Sequence, residues 1–202
     1  MKITGILGGT FDPPHNAHYE IAQRAINQYK LDRVIFIPTG SPWQKDIETS
    51  YEDRYKMTKL LISENPLFEL SDIEKSINDP SYTVDTLRKL NIEKENMYFI
   101  LGADVAISID TWKDYKELDL LSNFLIAPRD KVTNEKLVNE FPFTFNLIEG
   151  DELDISSTGI RNKILNKESI KGKLNRSHFH LCNFQSLDQG FLEYFLYSEF
   201  YF

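Results

Sequence analysis

Two histidines stand near the amino terminus, shortly after a pair of glycines. Gly8-Gly9 ends an apolar run, and His15 and His18 follow the turn-forming Asp12-Pro13-Pro14. Glycines let a ligand approach the main chain closely, and a helix that begins beside the histidines presents the positive end of its dipole. Such a junction suits a phosphate. From these residues alone a plain turn, or half of a metal site, is an alternative, although no cysteine or carboxylate stands at ligand spacing.

A second candidate anion site is rich in hydroxyl side chains and lies much later in the chain. Ser156, Ser157 and Thr158 lead into a predicted helix that carries Arg161 in its first turn. Hydroxyls and unpaired N–H groups at a helix N-terminus bind anions, and an arginine adds a planar bidentate donor for phosphate. Ordinary capping by serine or threonine is the alternative when this stretch is taken alone.

Predicted strands and helices alternate along the chain. The predicted strands are 3–7, 34–37, 68–71, 98–101, 124–127 and 143–148, and the helices are 16–30, 51–62, one from residue 80 onward, and 134–141. Asn16 is the predicted N-cap of the first helix, and a serine or threonine that of the helix after Pro80. The charged residues of 51–62 are expected to form a solvated face. Strand–helix–strand order implies right-handed parallel crossovers. The predicted fold class is therefore α/β, a Rossmann-like doubly wound parallel sheet with helices on both faces and its ligand site at the carboxyl ends of the strands.

Composition excludes several function classes. The 202 residues carry a formal net charge of −8, and such an acidic chain is a poor candidate for wrapping nucleic acid. Cys182 is the single cysteine, so no intrachain disulfide forms and a reducing compartment is expected. The amino terminus does not resemble a secretory signal, and no apolar run approaches the roughly 18 to 20 residues that span a bilayer. We therefore expect a cytoplasmic protein without nucleic-acid or membrane partners; a homo-oligomer is left open.

The two candidate anion sites together resemble the two signatures of the nucleotidyltransferase superfamily. Gly-Gly-Thr-Phe-Asp-Pro-Pro-His is most similar to the bacterial nicotinate-mononucleotide adenylyltransferases, and Ile-Ser-Ser-Thr-x-Ile-Arg matches the second signature. The family has His-x-Gly-His where this chain has Ala17, so an extra methyl group stands where an ATP phosphate would pass. The resemblance covers residues 3 to about 172 and then fails. The predicted domains are therefore a nucleotidyltransferase domain, 1–172, and an atypical C-terminal tail, 173–202.

The resemblance also implies a reaction and a set of site residues. The reaction is transfer of AMP from ATP to nicotinate mononucleotide, which gives nicotinate adenine dinucleotide and pyrophosphate in NAD biosynthesis. Mg²⁺ enters with ATP, and no residue is assigned to a metal, because no dense carboxylate cluster is present. The implied catalytic residues are His15, His18, Lys45 and Arg161. The implied ATP-binding residues are Gly8, Gly9, Thr10, Phe11, Gly102, Asp104, Arg129, Ser157 and Thr158, and the implied nicotinate-binding residues are Tyr82, Thr83 and Trp112.

These implied roles have structural alternatives. Helix capping explains Tyr82 and Thr83, and a lone tryptophan such as Trp112 more often belongs to a core. The histidines are expected to have pKa values near the reference of about 6.5 and to become protonated beside phosphate. All of these roles require the two signatures to converge on one triphosphate.

Two other functions are left open by the sequence. One is an adenylyltransferase with another acceptor, such as nicotinamide mononucleotide or phosphopantetheine. The other is a non-catalytic nucleotide-binding module that regulates a partner. Ala17 and the atypical tail favour this module slightly, whereas the intact His15, His18, Lys45 and Arg161 argue against it.

Overall fold

Six parallel strands form one sheet in the computed structural model. It describes residues 2–42, 47, 49–75, 80–129, 132–170 and 172–173, so Lys45 and most of the predicted tail lie outside the described residues. The strands are β1 (Thr4–Gly9), β2 (Arg33–Pro38), β3 (Phe68–Leu70), β4 (Met97–Gly102), β5 (Asn123–Ala127) and β6 (Asn146–Leu147). Their order is β3-β2-β1-β4-β5-β6, with every neighbouring pair parallel. The predicted parallel α/β sheet is confirmed.

Helices cover both faces of this sheet. They are α1 (Asn16–Tyr29), α2 (Tyr51–Ile62), α3 (Thr83–Leu90), α4 (Ala103–Ala106), α5 (Tyr115–Leu121), α6 (Asn134–Glu140) and α7 (Ser157–Leu165), with 3-10 turns at Lys94–Asn96 and Ile109–Thr111. Successive strand residues point to opposite faces, so Ile6 joins the core beneath α3, α5 and α6, whereas Leu7 joins the core beneath α1 and α2. This two-sided burial explains why the strands read as continuous apolar runs. None of the helices in the described ranges is long and apolar enough to cross a membrane.

Two predicted helix caps are wrong. The N-cap of α1 is His15, and Asn16 is already the first helical residue. The Asn16 side chain instead donates a hydrogen bond to the Gly172 carbonyl at 3.0 Å, and its N–H donates to the Lys173 carbonyl at 3.1 Å. The N-cap of α3 is Tyr82, which makes no side-chain capping bond.

The last strand is shorter than predicted. β6 covers Asn146–Leu147 rather than 143–148. The Phe143 ring stacks on the Phe124 ring, with centroids 5.2 Å apart and planes 10° apart, and Phe141 meets both rings edge to face. Ring packing, which follows the shape of the core, therefore positions the residues before β6.

Candidate active site

The sheet opens between its two central strands. β1 stays paired with β2 as far as Gly9, opposite Pro38, but its pairing with β4 stops where Ile6 meets Phe99. Beyond that point the ends of both strands, Leu7–Gly9 and 100–102, line a cleft of about 660 Å³. The order of the strands reverses at the same place, which is where open α/β sheets bind ligands. The cleft is therefore built into the topology of the sheet, and its volume is that of a small-molecule site.

The two sequence signatures meet at this cleft. The Ser157 hydroxyl donates to the Pro13 carbonyl at 2.9 Å, and the Arg161 guanidinium donates to the Asp12 carbonyl. Ser156 caps α7 by accepting a hydrogen bond from the Gly159 N–H at 3.0 Å. The predicted convergence of the two stretches is thus present in the structure.

Most of the predicted site residues line one cleft. They are Gly8, Gly9, Thr10, Phe11, His15, His18, Tyr82, Thr83, Gly102, Asp104, Trp112, Arg129, Ser157 and Thr158. Arg161 is not among the described residues that line the cleft; its guanidinium donates to the Asp12 carbonyl and, at 3.3 Å, to the Thr158 hydroxyl. Ala17 is 1% exposed and is likewise outside the described lining, so its methyl group takes no space from a ligand there.

A buried arginine supports the loop after β1 from the other side. The Arg54 Nη1 donates to the Thr10 carbonyl at 2.7 Å, and its Nε donates to the Thr49 carbonyl at 3.3 Å. Arg54 is 2% exposed, so the expectation that the charges of α2 form a solvated face is wrong for this residue. Burial lowers the pKa of the guanidinium, and the Asp12 carboxylate opposes that shift most strongly.

The two histidines form one hydrogen-bonded and stacked unit. The His15 N–H donates to His18 Nδ1 at 3.1 Å, and the two rings stack with centroids 3.7 Å apart. Because Nδ1 of His18 accepts this bond, a neutral His18 carries its proton on Nε2 and can donate from there. The Phe11 ring meets the His18 ring edge to face at 4.9 Å and fixes its orientation.

His15 has an unusual protonation equilibrium. Burial, and then the positive charges of Arg129 and Lys173, lower the pKa of His15 to about 3. The expectation of a pKa near 6.5 is wrong for this residue, because its ring is 1% exposed. In the absence of a ligand His15 is therefore neutral at physiological pH, and it can act on an anion only as a hydrogen-bond donor.

This low pKa predicts acid sensitivity of the fold. The unfolded chain binds a proton at this position below about pH 6.5 while the folded chain does not, so stability is lost as the pH falls. Between pH 7 and pH 5 the free energy of unfolding should drop by about 2 kcal/mol through His15. Urea unfolding at both pH values measures the drop, and His15→Asn, which keeps a capping side chain, should reduce it by that amount. Equal drops in both proteins would contradict the assignment.

One end of the cleft lies where β4 and β5 finish. A Cβ added to Gly102 would lie 2.5 Å from Asp104 Oδ1 and 3.7 Å from Arg129 Cγ, so these three residues are neighbours. The Arg129 Nη1 donates to the Ile155 carbonyl at 2.7 Å, which ties β5 to the segment before α7. The glycine at this position leaves room for the Asp104 carboxylate beside the main chain.

The other end of the cleft is aromatic. Trp112 packs edge to face against Phe99, with centroids 6.2 Å apart, and its buried indole N–H has no hydrogen-bond partner among the described residues. The Lys113 Nζ lies 4.5 Å from the centroid of the Tyr82 ring and also lines the cleft. Lys113 was not predicted as a site residue from the sequence. Its position next to Trp112 is the only local signal that could have indicated it.

The chemistry of the donors indicates an anionic ligand. The lining supplies imidazoles, hydroxyls, a guanidinium and an ammonium group, which are donors to phosphate oxygens. Within the described ranges no group of three or more His, Cys, Asp or Glu side chains could hold a metal ion. An oxyanion such as a triphosphate therefore fits this site.

Comparison with known proteins extends these observations. Residues 6–163 match the family model described as cytidylyltransferase-like. A protein of Clostridium novyi named "probable nicotinate-nucleotide adenylyltransferase" is 40% identical over 181 residues, which cover 84% of this chain and 90% of the relative. A Fusobacterium nucleatum protein of the same name is 38% identical over 195 residues and covers 93% of this chain and 100% of the relative. Because 172 residues are less than 93% of this chain, the alignment with this relative extends beyond residue 172, and the boundary at that residue stays a prediction.

A solved structure shows the same fold. The Plasmodium falciparum nicotinic acid mononucleotide adenylyltransferase in complex with NaAD superposes with a TM-score of 0.71 and 21% sequence identity, covering 100% of this chain and 98% of its own. The same protein in complex with APC gives a TM-score of 0.70. The fold of this chain is thus shared with a protein whose structure is known in complex with NaAD and with APC.

Proposed function

The chain belongs to the cytidylyltransferase-like family, among relatives named nicotinate-nucleotide adenylyltransferase, and from this premise we propose that it transfers AMP from ATP to nicotinate mononucleotide. The products are nicotinate adenine dinucleotide and pyrophosphate, and the role is a step of NAD biosynthesis. The observation that carries the proposal is the meeting of the Gly8–His18 stretch and the start of α7 at one cleft. The reaction requires a site that holds a triphosphate, and these two corners supply its donors.

The reaction needs no nucleophile from the protein. A phosphate oxygen of the mononucleotide attacks the α-phosphorus of ATP, a new P–O bond forms, and the bond to the β-phosphate oxygen breaks as pyrophosphate leaves. Positioning of the two phosphates and stabilisation of the leaving charge then supply the catalysis. His18 donates from Nε2, and neutral His15 stacks beneath it and fixes its orientation.

The remaining residues hold the two substrates. The main chain of 8–11 and the Thr158 hydroxyl bind the triphosphate, and Ser157 and Arg161 position the same loop through the Pro13 and Asp12 carbonyls. Lys45, which lies outside the described residues, adds a positive charge. The nucleoside is held by Gly102, Asp104 and Arg129, and the pyridine ring by Tyr82, Thr83 and Trp112.

ATP brings its own divalent metal to this site. The donors around the cleft suit phosphate oxygens rather than a cation, so Mg²⁺ is held by the phosphates and water and shields their charge. The single cysteine and the acidic charge favour a cytoplasmic enzyme whose partners are the two nucleotides.

Gly8 provides a test of the triphosphate position. A Cβ added to Gly8 would have Phe99 at 3.9 Å as its nearest neighbour, so the fold itself has room for it. Gly8→Ala should therefore leave the melting temperature nearly unchanged but raise the KM for ATP about ten- to a hundredfold, because the methyl group enters the ligand's space. Steady-state kinetics and thermal unfolding measure the two effects.

Gly5 on the same strand is the matched control. A Cβ there would lie 2.9 Å from Leu31 and 3.0 Å from Ile100 and Val34, all inside the core. Gly5→Ala should lower stability by about 1–3 kcal/mol and leave the KM for ATP unchanged. An unchanged KM in Gly8→Ala would place the triphosphate elsewhere.

Pyrophosphate release tests the proposed function itself. The protein is incubated with ATP, Mg²⁺ and one acceptor at a time: nicotinate mononucleotide, nicotinamide mononucleotide or phosphopantetheine. Fastest release with nicotinate mononucleotide is expected. Binding of ATP without release with any acceptor would indicate the regulatory module instead, and a preference for phosphopantetheine would move the enzyme to another branch of the superfamily.

A further inference from the structure

Lys113 places a positive charge at the aromatic end of the cleft. Its ammonium group lies 4.5 Å from the Tyr82 ring centroid. Lys113 directly follows Trp112 in the chain, and both aromatic residues line the cleft. Among the described residues that line the cleft, the lysines and arginines are Lys113 and Arg129. Arg129 stands beside Gly102, where β4 ends, so the two cations belong to different elements of the cleft wall.

The charges around Lys113 hold its ammonium group in place without using all of its donors. Asp85 accepts from Lys113 Nζ at 3.0 Å and from Arg88 Nη1 at 3.2 Å, and Arg88 also pairs with Glu117. Asp85 is thus shared between two cations, and an ammonium group has three N–H donors, of which Asp85 takes one. The Lys113 side chain is 43% exposed, so an arriving anion can reach it.

We propose that Lys113 determines acceptor specificity by favouring a mononucleotide whose pyridine ring carries a carboxylate over one that carries a carboxamide. The inference rests on the proposed function, because it assigns the pyridine ring to the Tyr82–Trp112 end of the cleft. Lys113 acts there on a substituent of the ring and takes no part in the transfer of AMP.

A cation is the kind of group that can make this distinction. Neutral donors, such as the Thr83 hydroxyl or a main-chain N–H, bond to a carboxylate oxygen and to a carboxamide oxygen alike, and the charge of the carboxylate only strengthens that bond. A positive charge adds a Coulomb attraction only for the carboxylate, and the protein as a whole, with a net charge of −8, opposes that anion elsewhere. A fixed positive charge at this place therefore makes a site for pyridine mononucleotides prefer the one that carries a carboxylate.

The test measures two acceptors in four proteins. For wild type, Lys113→Gln, Lys113→Arg and Lys116→Gln, kcat/KM is determined with nicotinate mononucleotide, and nicotinamide mononucleotide is measured both as acceptor and as competitive inhibitor. Lys113→Gln should lower kcat/KM for nicotinate mononucleotide about ten- to thirtyfold, mainly through KM, and change the inhibition constant of nicotinamide mononucleotide less than about threefold. Lys113→Arg should keep most of the preference. Lys116 lies 6.0 Å from the Tyr115 ring and is not among the described lining residues, so Lys116→Gln is the matched control and should change neither constant.

Asp85→Asn should change the preference for nicotinate mononucleotide in the direction opposite to Lys113→Gln. It removes the negative charge that competes for Lys113 but keeps an oxygen that can accept from the ammonium group, so the preference for nicotinate mononucleotide should rise a few-fold. A merely structural role of the pair would weaken both acceptors together. Added salt should reduce the preference of wild type and leave that of Lys113→Gln unchanged.

The outcomes separate this inference from the proposed function. If wild type uses nicotinate mononucleotide but Lys113→Gln keeps the wild-type preference, the inference fails and the proposed function stands. If wild type releases no pyrophosphate with either mononucleotide, the proposed function fails and the inference with it. Should Lys113→Gln not fold, Asp85→Asn decides, because a preference unchanged in that variant overturns the inference on its own.

Discussion

Replacement of His18 by alanine should lower kcat about a hundred- to a thousandfold, the usual cost of losing one donor that stabilises a leaving charge. His18 lines the cleft, and its Nδ1 already accepts the His15 N–H, so Nε2 is the nitrogen from which it would donate to a phosphate. Pyrophosphate release under saturating ATP and nicotinate mononucleotide gives kcat directly.

Two further variants separate the role of His18 as a hydrogen-bond donor from its role in capping α1. His18→Asn can keep an acceptor near the Nδ1 position but loses the distal donor, so it should be as slow as His18→Ala. His18→Gln keeps a distal N–H near the Nε2 position and should recover part of the rate. Wild-type turnover in His18→Asn would mean that the distal nitrogen takes no part in the reaction.

Replacement of Arg54 by methionine should destabilise the protein by about 3–5 kcal/mol and raise the KM for ATP at least tenfold. The methionine keeps most of the apolar stem but leaves the Thr10 and Thr49 carbonyls without their charged donor. It also removes the positive charge that faces the buried Asp12 carboxylate. Urea unfolding and ATP kinetics measure the two losses. Arg54→Lys keeps the positive charge but has a single ammonium nitrogen, so its stability and its KM for ATP should lie between those of Arg54→Met and wild type.

Arg33 supplies the control for this experiment. It lies at the opposite edge of the sheet, at the start of β2, and pairs with Glu69 at 2.9 Å while both side chains are partly exposed. Arg33→Met should cost no more than about 1 kcal/mol, as exposed ion pairs do, and should leave the KM for ATP unchanged. Equal losses in the two variants would mean that Arg54 contributes only general stability.

The sequence predicts those parts of the site that depend on local pattern. A glycine pair after an apolar run, and serines before a helix, are visible within a few residues, and parallel crossovers bring the ends of their strands to one edge. The meeting of the Gly8–His18 stretch with α7 is expected from the resemblance to a family whose two signatures act on one triphosphate.

The parts that the sequence does not predict depend on distant contacts. Arg54 looks like one charge of a solvated face, yet it shares the buried face of α2 with Met57, Thr58, Leu61 and Ile62. The spacing of three and four residues from Arg54 to the apolar positions of α2 indicated that it is buried. Its charge, however, favoured a solvated position, and the prediction followed the charge. The low pKa of His15 arises first from burial and then from the charges of Arg129 and Lys173, and both causes exist only in the folded chain.

The loop after β1 is held by groups that come from both halves of the chain, because Arg54 precedes most of the sheet and Ser157 and Arg161 follow it. During synthesis on the ribosome the central strands can pair while α7 is still inside the exit tunnel. A nascent chain therefore gains its affinity for nucleotide last, when α7 emerges and completes the loop. A proteolytic cut between β5 and α7 should likewise abolish nucleotide binding while the sheet is still folded.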